Sequence, residues 1–593
     1  MAFIQKSTPP ANQIITFSLP DFSGGLNNKS DLLSSNEASD LLNVSLVDNV
    51  LFEKRAGQKH YNNFQYDGKI IFIGEFKPYV DSDKLIVATV NKLYVDNVEI
   101  MTLNGFFKGI NYKGKFFFTD NNNMYVYGKF PQTSTTYEKV IGTSNPNYTV
   151  MKITSPATGH PRLPTEHKSG VTQYDYTLAK VYYEPCENEF VDPYKGANVL
   201  PEKIKLLVSH KGRMYVSGNE ADDDNVYIND ISATYYYPVA LPIQLPPNSD
   251  KIVGLIVHDD SVVIGRHEDI FYITGVTNNP TLSADPFALR RINTHTGFSS
   301  HDCMNVAHNY LFFFGGDGEA YALESIQGET RIVRSTMLTK KIDIFKSPLN
   351  ITRENLENCS AVYFEGKWFV NMGDKVLIYS YESRSWIVHS SIDAKTFYAF
   401  DDLLVWGTST GRIVEYDYET YLDFGEPYQA YWNSKLFDMD DSISYKQFKE
   451  FFIVAHTYQE YNSTINVLFE IDYSDVANRV SIKNQIAIWG KSHFGDRFIT
   501  RAINETVPII IGRRGRNIKF KISNGYYTDG EVDTVEDLEY YVGRGEGILV
   551  KVLEGNRYFL YTNRIWVEQF AVDLNQRMKI YKVNGDYELR GRR

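Results

Sequence analysis

From residue 84 onward one phrase recurs: a polar turn, about four apolar or aromatic residues, a second polar turn, then another such run. It begins as "KLIVATVNKLYVDN" and returns as "YKGKFFFTDNNNMYVYG", "HKGRMYVSGNEADDDNVYIND" and "HDDSVVIGRHEDIFYITG". It continues as "HNYLFFFGGDGEAYALES", "EGKWFVNMGDKVLIYSYESRSW" and "FDDLLVWGTSTGRIVEYDYE". Runs this short, flanked by Gly, Asp and Asn, are strands joined as hairpins rather than helices. Seven units are centred near Val87, Phe117, Tyr215, Val263, Phe313, Phe369 and Val405. Most intervals are roughly 30 to 55 residues, the span of a four-stranded propeller blade.

One interval breaks the rhythm. About 100 residues separate Phe117 from Tyr215, leaving room for an inserted module. "GVTQYDYTLAKVYYEPCENEF" (170–190) reads there as paired strands of a small β-sandwich. After Tyr421 the phrase stops and longer alternating strands begin, as in "TINVLFEIDYS", which suggests a C-terminal β-sandwich. A propeller closes by pairing its first and last strands in one blade, so residues 47–75 are expected to supply the closing strand. The expected fold is all-β: a β-propeller of about seven blades with an inserted small β-sandwich and a C-terminal β-sandwich. Its expected divisions are an N-terminal docking segment (1–46), propeller (47–130), insertion (131–200), propeller (201–426) and C-terminal sandwich (427–593).

Composition narrows function by exclusion. The 43 Tyr and 36 Phe suit pleated, half-buried surfaces. A net charge of −12 argues against a dedicated DNA binder, which needs clustered cations, yet suits an acidic wall past which DNA slides. Cys186, Cys303 and Cys359 lie far apart, with neither zinc spacing nor a disulfide framework, as in a protein folding in a reducing cytoplasm. No signal peptide or membrane-spanning run is visible.

Chemistry is hard to place. The acidic turns "HDD" at 258, "HED" at 267, "EADDDN" (220–225) and "DMDDS" (438–442) read as solvated turns rather than catalytic or Ca²⁺ sites, and no catalytic, cofactor or metal residue is assigned. Sialidase boxes and WD dipeptides are absent, and kelch features are fragmentary.

The opening carries three motifs in fixed order: "FSGGLN" (22–27), "NEASDLLNV" (36–44) and "LFEKRAG" (51–57). Together they resemble the N-terminus of the packaged-DNA stabilisation, or tail nozzle, proteins of short-tailed bacteriophages. "YDYTLAKVYYEPCENEF" resembles that family's inserted sandwich strand, though a Glu-Ser pair is more usual than Pro185-Cys186, and "YWNSKLFDM" and "GRRGRNIKFKI" resemble its later sandwich. The resemblance implies a structural, non-enzymatic virion protein made in the host bacterial cytoplasm and located in the tail. Its implied partners are further copies of itself in a six-membered ring, the portal or adaptor, distal tail proteins and double-stranded DNA in non-specific transit, with no membrane insertion. A carbohydrate-binding or carbohydrate-cleaving propeller is the alternative.

Assembly residues follow from the same motifs. Gly24 and Gly25 permit a tight turn against a neighbour. Arg55, followed by Gly57, can set its guanidinium on a buried carboxylate or on backbone carbonyls at the ring closure. Near the inner seam or docking face these residues would serve assembly; otherwise they simply terminate elements. Ser34 and Glu37 have capping-box spacing, predicting a short helix carrying Leu41, Leu42 and Val44. Arg513, Arg514 and Arg516, in the densest basic stretch, can contact DNA or pair with an acidic neighbouring subunit, the second being favoured.

Overall fold

A computed structural model describes residues 14–129, 148–153, 203–275, 287–483 and 504–523, apart from breaks inside these ranges, and strands at 548–553, 557–561 and 579–589. The expected sandwich at 131–200, with Cys186, lies almost wholly outside the described residues, as does the terminal "RGRR". The rest is all-β, with one short helix, Arg353–Glu357, capped by Thr352.

Seven four-stranded antiparallel sheets form the propeller. Blades 1 to 6 span 70–102, 108–153, 206–244, 254–292, 305–337 and 360–390. Blade 7 takes Thr396–Ala399, Leu404–Gly407 and Ile413–Asp417 from one end of the propeller and its outermost strand, Gly57–His60, from the other. Asp417 pairs with Gly57 and Val414 with His60, inside the range expected for the closing strand. First strands lie side by side between blades 2 and 3, 3 and 4, 5 and 6, 6 and 7, and 7 and 1. Asn111 donating to the Glu75 carbonyl joins blade 1 to blade 2, and the Leu255 N–H donating to His301 joins blade 4 to blade 5, so the ring is closed.

The recurring phrase marks the two middle strands of each blade. Val87, Phe117, Tyr215, Val263, Phe313, Phe369 and Val405 all fall on second strands and are all buried. Lys367–Met372 and Lys375–Ser380 are buried at every position after the first, because blades cover both faces of a middle strand. Two-residue turns at Lys113–Gly114, Lys211–Gly212, Asp259–Asp260 and Glu365–Gly366 join first to second strands, with positive φ at both positions as a type I′ turn requires. "HDD" is therefore a hairpin tip: Asp260 meets Lys211 of blade 3 at 2.7 Å, and buried His258 reaches the Asn309 carbonyl.

The axis is strutted. Lys108, which begins the first strand of blade 2, pairs with Asp302, just ahead of blade 5, across the ring. Both side chains retain accessible surface, 18% and 46%, so the strut borders solvent. Polar staples also join blades at the rim. Arg266, fully buried, donates to Asp224 and, at 2.9 Å, to the Pro246 carbonyl, tying blade 4 to blade 3. It also lies 3.9 Å from Asp269, so the last residue of "HED" and Asp224 of "EADDDN" share one structural cation.

Both ends of the chain build the C-terminal sandwich. One sheet runs Asn504–Gly515, Lys446–His456, Lys579–Leu589, Leu51–Lys54, Val44–Val47, with Ile14–Leu19 also paired to Lys579–Leu589. The other runs Gly25–Leu26, Glu37–Leu42, Tyr431–Ser434, Ile518–Ser523, Thr464–Ile471, Ser474–Lys483. Between them Phe451 packs on Phe469 and Phe520, with ring centres 4.8 and 5.4 Å apart. The opening is thus part of the sandwich rather than a separate docking segment.

In place of the helix predicted to carry Leu41, Leu42 and Val44 there are two strands, Glu37–Leu42 and Val44–Val47. Half of the capping geometry survives, since the Ser34 N–H donates to the Glu37 carboxylate at 2.8 Å. A tertiary demand overrides it: Glu37–Leu42 pairs with Tyr431–Ser434 on one side and Gly25–Leu26 on the other, burying Ala38 and Leu41.

Truncation to residue 61 would leave blade 7 with three strands and an open edge. We expect the truncated chain to lose cooperative unfolding and the amides of Ile413–Asp417 to exchange much faster. Thermal melting with hydrogen exchange checks this; unchanged protection would show that closure does not depend on Gly57–His60.

Candidate functional site: the closure junction and the basic corner

The three N-terminal motifs converge on the propeller. In "FSGGLN", Phe22 packs edge-on to Trp432 at 5.2 Å, and Gly25, at φ +65°, passes so close to the Trp386 carbonyl that a Cβ would lie 2.6 Å from it. Asn27 donates to Glu37 at 2.8 Å, and Lys341, beyond blade 5, pairs with the same carboxylate at 2.8 Å. Burial would raise the Glu37 pKa, but hydrogen bonds from Lys341, the Ser34 backbone and Asn27 outweigh it and hold the carboxyl below its usual value. Asn28 exchanges hydrogen bonds with the Asp343 backbone. This motif fastens the sandwich to blades 5 and 6.

Asn43 closes the second motif in a left-handed conformation, φ +52°. Its side-chain oxygen accepts from the Ser390 N–H at 2.8 Å and Arg55 Nε at 3.0 Å. Its amide donates to the Ser390 hydroxyl and the Gln429 carbonyl at 3.0 and 2.7 Å. The third motif supplies Arg55, only 1% exposed. Its guanidinium grips both oxygens of Asp423 at 2.8 and 2.5 Å, donates to the carbonyls of Ala56 and Ser390, and lies 3.8 Å from the Tyr428 ring centre. Gly57 then runs against residues 420–422, where a Cβ would sit 2.1 Å from the Leu422 carbonyl. The carboxylate is that of Asp423, half-buried, and the carbonyls are present too. Gly24, Gly25, Arg55 and Gly57 are all buried in contacts within one chain.

Beside this junction lies a cleft of about 210 Å³, lined by Glu53, Lys54, Lys367, Phe369, Tyr416 and Tyr418 among others. Behind it His389 is fully enclosed, bonded to the Tyr416 hydroxyl at 3.1 Å and the Val44 carbonyl at 3.2 Å. Burial, reinforced by the Arg55 charge, holds its pKa well below the ordinary histidine value, so the ring is neutral at pH 7.

Arg513, Arg514 and Arg516 occupy a different region, the corner where the chain leaves one sheet at Gly515 and enters the other at Ile518. Arg514 and Arg516 both lie 4.8 Å from the Tyr445 ring centre, and the Arg516 and Asn517 N–H groups donate to Asp472. Lys446, buried beneath, donates to the carbonyls of Asp441, Ser444 and Arg516. "DMDDS" is a turn whose Asp441 is held at about 2 by hydrogen bonds from Ser444. Among the described residues no group of three His, Cys, Asp or Glu could hold a metal ion, and no helix is long and apolar enough to cross a membrane.

Asn43, Asp423 and His389 were not singled out in the sequence. Asn43 left a faint signal, a polar residue inside an apolar motif; Asp423 and His389 left none. Their partners are 12, 368 and 345 residues away.

No family model and no curated protein matches the chain. Among solved structures it is similar to the computationally designed Ika8 protein, at 9% identity and a TM-score of 0.31 over 60% of this chain and 98% of that one. It is also similar to PorZ, a surface component of the type-IX secretion system of Porphyromonas gingivalis, at 8% identity and 0.29, over 87% of this chain and 53% of that one. A third is the N-terminal domain of Nup159, at 10% and 0.21, over 54% and 76%. Similarity at this level says nothing about what the chain binds or does.

Two outcomes follow from the junction. Arg55→Ala leaves the half-buried Asp423 carboxylate and the Asn43 oxygen without their arginine partner and should cost about 3 kcal/mol in denaturant titration, and Arg55→Lys should recover little because an ammonium cannot bridge both Asp423 oxygens. Because the folded pKa of His389 lies below its unfolded value, stability should be constant above about pH 6.5 and fall as pH drops through the window beneath it. Glu37 acts in the same direction only in the carboxylate range, so melting between pH 5 and 7 isolates the histidines, and His389→Gln should flatten that slope.

Proposed function

We propose that the chain is a structural virion protein of a short-tailed bacteriophage, assembling as a ring below the portal and adaptor that seals the channel, retains packaged DNA and lets it pass at ejection. The observation that carries this reading is the fixed order of "FSGGLN", "NEASDLLNV" and "LFEKRAG", which resembles the nozzle family. Propeller and sandwich also agree with what that resemblance implies. Six copies are expected on the same ground. A closed ring needs different patches on the two sides of one subunit. Arg513, Arg514 and Arg516 are the proposed contributors to one such patch. The Lys108–Asp302 strut crosses the propeller axis, so the DNA path in this reading runs between subunits. A net charge of −12 keeps duplex DNA from adhering to that bore.

Particles lacking the protein should package DNA and then leak it, while the isolated chain binds duplex DNA weakly, without sequence preference, and less as salt rises. Neutralising Arg513, Arg514 and Arg516 should disturb ring assembly more than retention in assembled particles. A leakage assay beside a filter-binding titration decides. Knockout particles that keep their genome, or tight salt-resistant binding, would reject the reading.

A further inference from the structure

Two cysteines that look unrelated in the sequence meet at a blade seam. Cys303 precedes the first strand of blade 5 and Cys359 that of blade 6. Both are free thiols, 0% and 1% exposed, in one apolar cluster. The Ser299 hydroxyl lies 3.3 Å from the Cys303 sulfur, and the two thiols perturb each other electrostatically. Backbone geometry holds the contact, since the Ala361 N–H donates to the Asp302 carbonyl at 2.7 Å and ties the two segments directly beside the thiols. We propose that Cys303 and Cys359 are a site of reversible disulfide formation that staples blade 5 to blade 6. The bond would enclose all four strands of blade 5 and the helix Arg353–Glu357 in one covalent loop.

The two thiols are unequal. Burial raises both, but side-chain interactions with Cys359 and Ser299 and the backbone of Phe314 and Ser300 bring Cys303 down to about 7, whereas burial and the Cys303 contact push Cys359 well up. Cys303 is therefore the attacking sulfur. When local opening of the blade 5–blade 6 seam admits a disulfide oxidant such as oxidised glutathione, the Cys303 thiolate attacks one glutathione sulfur and releases the other as a thiolate. Cys359, deprotonated, then attacks the Cys303 sulfur of the mixed disulfide and releases the second glutathione. One protein disulfide forms, and one glutathione disulfide is reduced to two thiols, which take up the two protein protons. A reducing cytosol keeps the pair as thiols, and an oxidising medium closes it. The site stands whether or not the protein belongs to a virion.

The native full-length chain, incubated with oxidised glutathione, alkylated under denaturing conditions and digested without reductant, should yield one cross-linked peptide pair joining Cys303 to Cys359. Alkylatable thiols should fall from three to one, with an intact-mass loss of about 2 Da for two hydrogens. The oxidised chain should melt at a higher temperature than the reduced one, and Cys359→Ala should abolish cross-link and shift together. Should that variant fail to fold, the wild-type peptide map still decides. Cys303 and Cys359 both remaining alkylatable after prolonged oxidation, or Cys186 appearing in the cross-link instead, would overturn the proposal.

Discussion

The two-pronged grip of Arg55 on Asp423 is the contact on which the architecture turns. A propeller has no covalent closure, so something must hold its first strand beside its last against the entropy of two chain ends. Here the arginine stands two residues before the closing strand and the aspartate six residues after blade 7's third strand. Burying a guanidinium costs several kcal/mol unless all its donors are matched. Asn43 and the carbonyls of Ala56 and Ser390 do the matching, and each comes from an element that must already be in place. Closure, the end of blade 6 and the sandwich are thereby locked to one geometry.

The sandwich makes the molecule depend on its whole length. Ile14 pairs with Glu588, so one sheet joins the two extremes of the chain. Contacts of such sequence separation form late, because a long loop must close before any pairing offsets it. Blades 1 to 6, each made from one continuous stretch, have no such delay. This favours an order in which blades form locally, and the N-terminal motifs then draw ring and sandwich together.

Much of the ionisable chemistry inside the protein is structural. His389, Arg266 and Lys446 are all buried, and each is tied to carbonyls, a hydroxyl or a carboxylate of another segment. Burial depresses His389 and Lys446, the expected direction for cations leaving water. Such groups make wrong pairings costly, since a mismatched blade would strand a charge in an apolar seam.

What the sequence by itself determined is the propeller. Middle strands are covered on both faces by neighbouring blades, so they must be apolar runs between turns, and their seven central residues mark one blade each. First strands border the axis and fourth strands are edges, as the mixed burial of Lys108–Tyr112 and Ala288–Ile292 shows, so neither leaves a comparable pattern. Arg55 was legible as a closure residue because only a fork of donors suits a buried carboxylate beside carbonyls. Its partner was not. Asp423, Asn43 and the meeting of Cys303 with Cys359 exist only once distant segments are adjacent, and the strand at 37–42 replaced a locally plausible helix for the same reason. Local patterns record which faces each strand must bury; which segments share a sheet, a charge or a thiol contact was decided by the closed ring and by a sandwich built from both chain ends.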